Sequence, residues 1–308
     1  MKSTASIRPS GGLFTHHFVE AIQQKRFRHD ALAPETFALP GQDPPTETEL
    51  EAQIAEAWEL LIERWESIND EFPEDDISEL RNKWVRPLLN LLEFDLDYQR
   101  ADIVIEDQPF DVAFLGRPKG DISQYIAPIH SVLPEGPEGL ETRPGPRRRE
   151  PKYLASHDML QRYLNFEDDY DWGLLTDGVY LRVLRDYHHT HSRGYLEFDL
   201  QHIFESRDFE AFRALYRMAH ASRFLPMEED EKESLPLEQF YQHALSTGVK
   251  VGEDLRQNVK RSIETLANGF LHATQGMLDH LREESTLHYA DFGEMEPTSA
   301  FFHDILVT

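Results

Sequence analysis

Three short apolar runs, WGLLT at 172–176, VYLRVLR at 179–185 and YLEFDL at 195–200, constrain the fold more than any other feature of the chain. Each has the length and the aromatic and aliphatic content of a strand and is bounded by polar or turn-forming residues. Asp177-Gly178 separates the first two, and that pair tolerates the positive φ that a tight hairpin turn demands. The runs therefore predict antiparallel strands at the centre of the second half of the molecule. Trp172, Leu174, Leu181, Leu184 and Phe198 are the expected core side chains, with their register set by the turn.

Helical periodicity dominates elsewhere. Residues 1–12 end in Ser10-Gly11-Gly12 and read as a mobile start, followed by a short amphipathic helix over 13–24 with Leu13, Phe18, Val19 and Ile22 on one side. A linker with Pro34, Pro40, Pro44 and Pro45 leads to Thr46-x-x-Glu49, a capping box for a long acidic helix. On that helix Leu50, Ile54, Trp58, Leu61 and Trp65 recur at three- and four-residue steps, while Glu49, Glu56, Glu59, Glu63 and Glu66 fall on the wet side. A second helix is expected from Ile77 or Ser78 through Leu80, Trp84, Leu88 and Leu91. Strands follow at 101–105 and 110–115, and a third apolar run at 125–133 reads as another. Residues 134–151 are irregular and dense in Pro, Gly and Arg, a length of loop that is uncommon inside a domain. Helices are expected at 159–166 and 209–221, and mostly helix from Leu237 onward. The pattern at 299–308 is a helix that stops without a cap, as a truncated one would. The expected fold class is mixed α/β (α+β). It comprises an arm and linker at 1–45, a nuclease-like α/β domain at 46–225, and a helical connector at 226–308.

Composition narrows the function classes. The net charge of −26 repels nucleic acid on average, so any contact with DNA must be local. Such an acidic surface belongs to a soluble acidic protein or to a face reserved for a protein partner. The chain has no cysteine, hence no disulfide framework and no thiolate ligand or nucleophile. It has no apolar stretch of membrane-spanning length and no apolar secretory core near Met1, so no membrane partner and a cytoplasmic location are expected.

Helix, strand, Asp-bearing strand and further strand is the order of a restriction-nuclease-type core. Such cores hold a divalent metal with a helical acid, a strand Asp and a Glu/Asp-x-Lys on the next strand, because the ion needs clustered carboxylate oxygens. Glu79 is the candidate helical acid and Asp111 the candidate strand Asp, but the next strand offers Ile129-His130-Ser131-Val132, with neither acid nor lysine. The two acids then read as vestigial, solvated or ion-paired. His188, His189 and His191 cluster in one turn without a carboxylate or cysteine at a ligand spacing, and read as an exposed loop. No phosphate-binding loop, no Gly-x-Gly opening a helix, and no Asn/Asp-Pro-Pro-Tyr/Phe is present, so neither a cofactor nor a bound metal is expected on this chain.

Arg143, Arg147, Arg148, Arg149 and Lys152 fall within ten residues, diluted only by Glu150. Arginine forks suit phosphate oxygens, which makes this segment the candidate DNA contact. A solvated loop that happens to be basic, or one docking on an acidic partner or on the protein's own acidic helix, are the alternatives.

The stretch QRYLN at 161–165, then WGLLTDG at 172–178, LRVLRD at 181–186, YLEFDL at 195–200, IFE at 203–205 and HASRF at 220–224 resembles a block of large single-chain adenine-specific DNA methyltransferases. These are enzymes of the type IIG restriction class and their relatives in the BREX and DISARM phage-defence systems. IRPSGGLFT at 7–15 resembles their start, and LANGF at 266–270 their helical approach to the methyltransferase domain. The resemblance implies double-stranded DNA and other defence-system subunits as partners. It also implies S-adenosylmethionine bound only on a methyltransferase domain whose motifs this chain lacks. The chain itself is expected to be a non-catalytic module that helps position DNA or partner subunits. A divergent metal-dependent nuclease and a protein–protein adaptor are the other two readings.

Overall fold

A computed structural model describes residues 5–24, 26–69, 71–135, 139–142, 154–186, 193–227 and 232–273. Its contacts divide the chain into two compact units, Met1–Ser246 and Thr247–Thr308. The first unit is an α+β fold built on a seven-stranded mixed sheet. In chain order its elements are β1 (Ile7–Ser10), α1 (His16–Gln23), α2 (Glu47–Asn69), α3 (Ile77–Leu80), α4 (Arg86–Leu91), β2 (Phe94–Tyr98), β3 (Ile103–Ile105), β4 (Gln108–Phe110), β5 (Phe114–Pro118), β6 (Ala127–Ser131), α5 (Ser156–Phe166), β7 (Trp172–Thr176), β8 (Tyr180–Arg185), β9 (Tyr195–Asp199), α6 (Leu200–Glu205), α7 (Phe209–Ala219) and α8 (Pro236–Ala273). The second unit is described only as far as residue 273, where α8 ends. No described helix is long and apolar enough to cross a membrane.

The sheet order is β1-β9-β8-β7-β6-β5-β2. Every pair is antiparallel except β6–β7, which run parallel and are joined through α5. Residues of alternate parity face opposite layers, as the two-residue period requires. Phe94, Phe114, Ile129, Trp172, Leu174, Leu181, Val183, Leu196 and Phe198 join the larger apolar core with side chains of α1, α2, α4, α6, α7 and the start of α8. Leu175 and Leu184 lie in a smaller cluster with Met159, Leu160, Tyr163 and Leu164 of α5.

Local chemistry accounts for the helices that flank the sheet. The Thr46 amide donates to Glu49 Oε2 at 2.8 Å and the Glu49 amide to Thr46 Oγ1 at 3.3 Å, the reciprocal capping box that starts α2. Leu50, Ile54, Trp58, Leu61 and Trp65 are all buried, and the five glutamates expected on the opposite side are exposed. Between α3 and α4 the helix passes through a π turn at Arg81–Val85. Pro87, just beyond, has no amide hydrogen to bond back along the helix, which is where such an irregularity is tolerated.

Several expectations change in the structure. The start is not mobile from Ile7 onward, because β1 pairs with β9 and Ile7 is buried. The proline-bearing stretch also packs: Leu32, Phe37 and Leu39 are buried, and the Arg223 guanidinium donates to the Thr36 carbonyl at 2.6 Å. The expected strand at 110–115 is broken, because β4 belongs to a separate two-stranded sheet with β3 whose turn residues Glu106 and Asp107 both have positive φ. Phe110 and Val112 pack in the smaller cluster and Phe114 in the larger one. At the β7–β8 connection Gly178 alone has positive φ, +82°, and the nearest paired residues are Thr176 and Leu181. The Asp177 amide donates to the Tyr180 carbonyl at 3.4 Å, so the hairpin is tight as expected, with residues 177–179 between the two strands.

Candidate functional site

The α3–α4 helix is followed by β2, which was not expected, then by β3 and β4 in the separate two-stranded sheet, and only then by β5 and β6 of the main sheet, so the expected strands at 101–105 and 110–115 do not form a continuous nuclease-like core. The residues they present differ from a metal site. Asp76 caps the helix through its Oδ1, which accepts from the amides of Ser78 at 2.8 Å and Glu79 at 3.1 Å. The Glu79 side chain is exposed and ion-pairs with Lys83 one turn along the same helix. Asp111 is exposed and lies on the link between β4 and β5, not on a strand, which corrects the expectation.

On the third strand, Ser131 is held by a cation from the helix. Arg81 Nε donates to Ser131 Oγ at 2.7 Å and Arg81 Nη2 to the Ser131 carbonyl at 2.8 Å. The same guanidinium lies 5.6 Å from the ring centres of both Tyr98 and Phe114. Burial lowers the Arg81 pKa, with the charges of Tyr98 and Asp111 acting the other way. His130 beside it is fully buried and held down to about 3, by burial first and by the Arg81 charge second, so its ring is neutral. Among the described residues no three His, Cys, Asp or Glu side chains converge as a metal-holding group.

A second constellation lies on the α5 side of the sheet. The register puts Arg8, Glu197 and Arg182 side by side on three neighbouring strands. Arg182 Nε donates to Glu197 Oε2 at 2.7 Å and Arg182 Nη2 to Glu141 Oε1 at 3.0 Å, while Arg8 Nη2 lies 2.8 Å from Glu197 Oε1. The Arg182 guanidinium sits 3.9 Å from the Tyr195 ring centre. Arg193 extends the network, donating to Glu141 Oε2 at 2.8 Å and in a fork to Asp158 at 2.8 and 2.9 Å. His157 is buried among these charges and held down to about 3, chiefly by burial and then by Arg182 and Arg193.

This ionic layer was not anticipated from the sequence. A signal for it exists: Arg182 and Glu197 each interrupt an otherwise apolar run, and pairing the two strands brings them opposite. The basic segment with Arg143, Arg147, Arg148, Arg149 and Lys152, and the cluster His188, His189 and His191, lie outside the described residues. Residues flanking both segments do meet, because Glu141 bonds to Arg193 and Arg193 to Asp158. Comparison of the chain with family models, curated proteins and solved structures gives no match.

Proposed function

We propose that this chain is a non-catalytic module of an adenine-specific DNA methyltransferase from a phage-defence or restriction-modification system, and that it helps position DNA or partner subunits. The observation that carries this reading is the fate of the nuclease-like residues. Glu79 is engaged by Lys83 one turn along its helix, Asp111 lies on a link and not on a strand, and Ser131 is held by Arg81. A divalent ion needs converging carboxylate oxygens, and a guanidinium beside the third strand opposes one by charge. In this reading S-adenosylmethionine belongs to a separate methyltransferase domain. Contact with double-stranded DNA is made by the basic segment 143–152, whose flanking residues are tied by Glu141, Asp158 and Arg193.

The test is DNA affinity as a function of salt. The full chain should bind duplexes of unrelated sequence about equally at low salt. Replacing Arg147, Arg148 and Arg149 together with Ala should weaken binding and flatten the slope of log affinity against log salt by about 0.9 for each phosphate no longer neutralised. A chain that binds no DNA even at low salt would instead be an adaptor. Plasmid nicking that requires magnesium and disappears in Asp111→Ala would establish the nuclease reading.

A further inference from the structure

We propose that the cavity lined by α2, the end of α7 and the turn after α4 binds a small organic amine, a single-ring cation with a hydroxyl at its far end. The proposal goes beyond the DNA-positioning reading and does not depend on it. The cavity measures about 330 Å³. One water takes about 30 Å³ and ligand clefts begin at about 300 Å³, so the space suits a small molecule rather than a single trapped water.

The floor is built by the end of α7. Tyr216 and His220 are four residues apart there, so they fall on one side of the helix end. Their rings sit 5.0 Å apart, and the Phe37 ring lies 5.5 Å from His220. All three are buried and line the cavity. His220 Nδ1 accepts from the Ser222 amide at 3.2 Å. Burial holds the ring neutral, well below its ordinary pKa, with the Arg223 and Lys119 charges acting the same way. A neutral ring that accepts at Nδ1 carries its hydrogen on Nε2, and that donor has no partner among the described residues. Nor has the Tyr216 hydroxyl, which burial keeps protonated with the Glu93 charge adding to the effect. Two buried side chains thus bring unmet hydrogen-bonding groups to the cavity, and a ligand hydroxyl can meet them.

The mouth carries negative charge. Glu56 and Leu60 stand one turn apart on α2, Asp43 lies just before that helix, and all three are exposed. Glu93, at φ +66°, is tied to Lys119, whose amide donates to the Glu93 carbonyl at 2.9 Å and whose Nζ donates to Oε1 at 3.0 Å. That pair balances itself. Glu47 and Glu51 are taken by Arg217, whereas Asp43 and Glu56 have no cation among the described residues. Acids alone would not define a site in a chain of net charge −26. Here they meet a cavity whose lysine is committed and whose histidine is neutral, so an anion is repelled and an ammonium attracted. Phe37, Leu60 and Leu91 supply apolar wall for a ring. Exposed carboxylates, apolar wall and buried hydrogen-bonding groups together select an amine joined through a ring to a hydroxyl.

The experiment uses the full chain and three probes of one shape, titrated at low salt and followed by ligand-observed saturation-transfer NMR. Tyramine carries both ends, phenethylamine lacks the hydroxyl, and tyrosol has an alcohol in place of the ammonium. Tyramine should bind about fivefold more tightly than either analogue. Tyr216→Phe should weaken tyramine about fivefold and leave phenethylamine unchanged, a difference that a loss of structure would not produce. Asp43→Asn/Glu56→Gln should weaken tyramine and phenethylamine about threefold and leave tyrosol unchanged. Thermal unfolding checks that each variant folds. Absence of tyramine binding, equal affinity for the three probes, or equal losses for tyramine and phenethylamine in Tyr216→Phe would each overturn the site. No DNA enters the measurement, so none of these results bears on the DNA-positioning reading.

Discussion

The two faces of the central sheet are built from opposite chemistry. On one, Trp58, Trp65, Trp84, Phe204 and Phe212 interlock as an aromatic cluster between α2, the π turn, α6 and α7, with ring centres 5.1–6.1 Å apart. On the other, α5 covers a small apolar cluster, and beside it Arg8, Arg182, Arg193, Glu141, Glu197 and Asp158 form the ionic layer. The first face draws on the burial of apolar area, which is non-directional and tolerates approximate packing. The second holds charges away from water, so each must keep its partner or leave an uncompensated ion. The faces therefore divide the work: one supplies stability, while the other fixes how the residues flanking 143–153 and 187–192 are held.

The largest expected effect tests the first half of that contrast. Trp84 is fully buried, and its indole Nε1 donates to the Gly178 carbonyl at 2.7 Å. Trp84→Ala should lower stability by about 3–5 kcal/mol through lost packing and the cavity left behind. Urea unfolding should show a lower midpoint with an unchanged slope. A loss below about 1 kcal/mol would mean the aromatic face is not where stability resides.

The second prediction addresses the ionic face. Glu197→Ala takes an acceptor from both Arg182 and Arg8, leaving Arg182, 3 % exposed, with Glu141 as its remaining carboxylate partner. Breaking a buried pair this way should cost about 3 kcal/mol. Arg182→Met/Glu197→Met should recover most of that, because it removes both desolvated charges while Arg8 keeps Asp199 and Glu141 keeps Arg193. Urea unfolding of both variants decides the matter. A double variant as unstable as the single one would show that the layer's hydrogen-bond geometry, not its charge balance, is what the fold requires.

These faces were unequally legible in the sequence. The aromatic face follows from periodicity alone, since Leu50, Ile54, Trp58, Leu61 and Trp65 mark one side of α2 and Thr46 with Glu49 marks its start. The hairpin strands were readable for the same reason, and Trp172, Leu174, Leu181, Leu184 and Phe198 are all buried. The ionic face was not, because an isolated Arg or Glu in a strand reads as solvent-facing until the pairing register is known. Strand β1 was missed because Ile7-Arg8-Pro9-Ser10 carries no pattern of its own and finds its partner β9 only through the tertiary fold. The pairing of Glu79 with Lys83 is local, four residues along one helix, and agrees with the reading of that acid as ion-paired, whereas the contact of Arg81 with Ser131 joins residues fifty apart and follows only from the tertiary fold.

The last prediction sharpens the contrast through pH, which should act on the ionic side and its margins. Asp177, fully buried beside the β7–β8 connection, is pushed up to about 6, by burial first and with the Glu197 charge adding, against the amides of Tyr180 and Val179 that donate to it. A carboxyl whose folded pKa exceeds its ordinary value of 3.8 contributes stability that is fully present below that value and lost as pH rises through about 6. At neutral pH the ionised group should therefore cost on the order of 2–3 kcal/mol, at about 1.4 kcal/mol per unit. Asp177→Asn keeps the Oδ1 that accepts from Val179 at 3.0 Å and Tyr180 at 2.7 Å, and removes the charge. The variant should be more stable than the parent at neutral pH by about 2 kcal/mol, with the difference shrinking as pH falls through 6 and gone near pH 4. The buried histidines act with opposite sign. His130 and His157, both held down to about 3, favour the folded state fully above 6.5 and lose that contribution as pH falls towards 3. Both proteins should thus weaken in acid, and Asp177→Asn more steeply between pH 6 and pH 4, because it lacks the proton uptake by Asp177 that offsets the histidines. Urea unfolding at a series of pH values measures the difference, and a gap that stays constant across the series would show that Asp177 is not the group responsible.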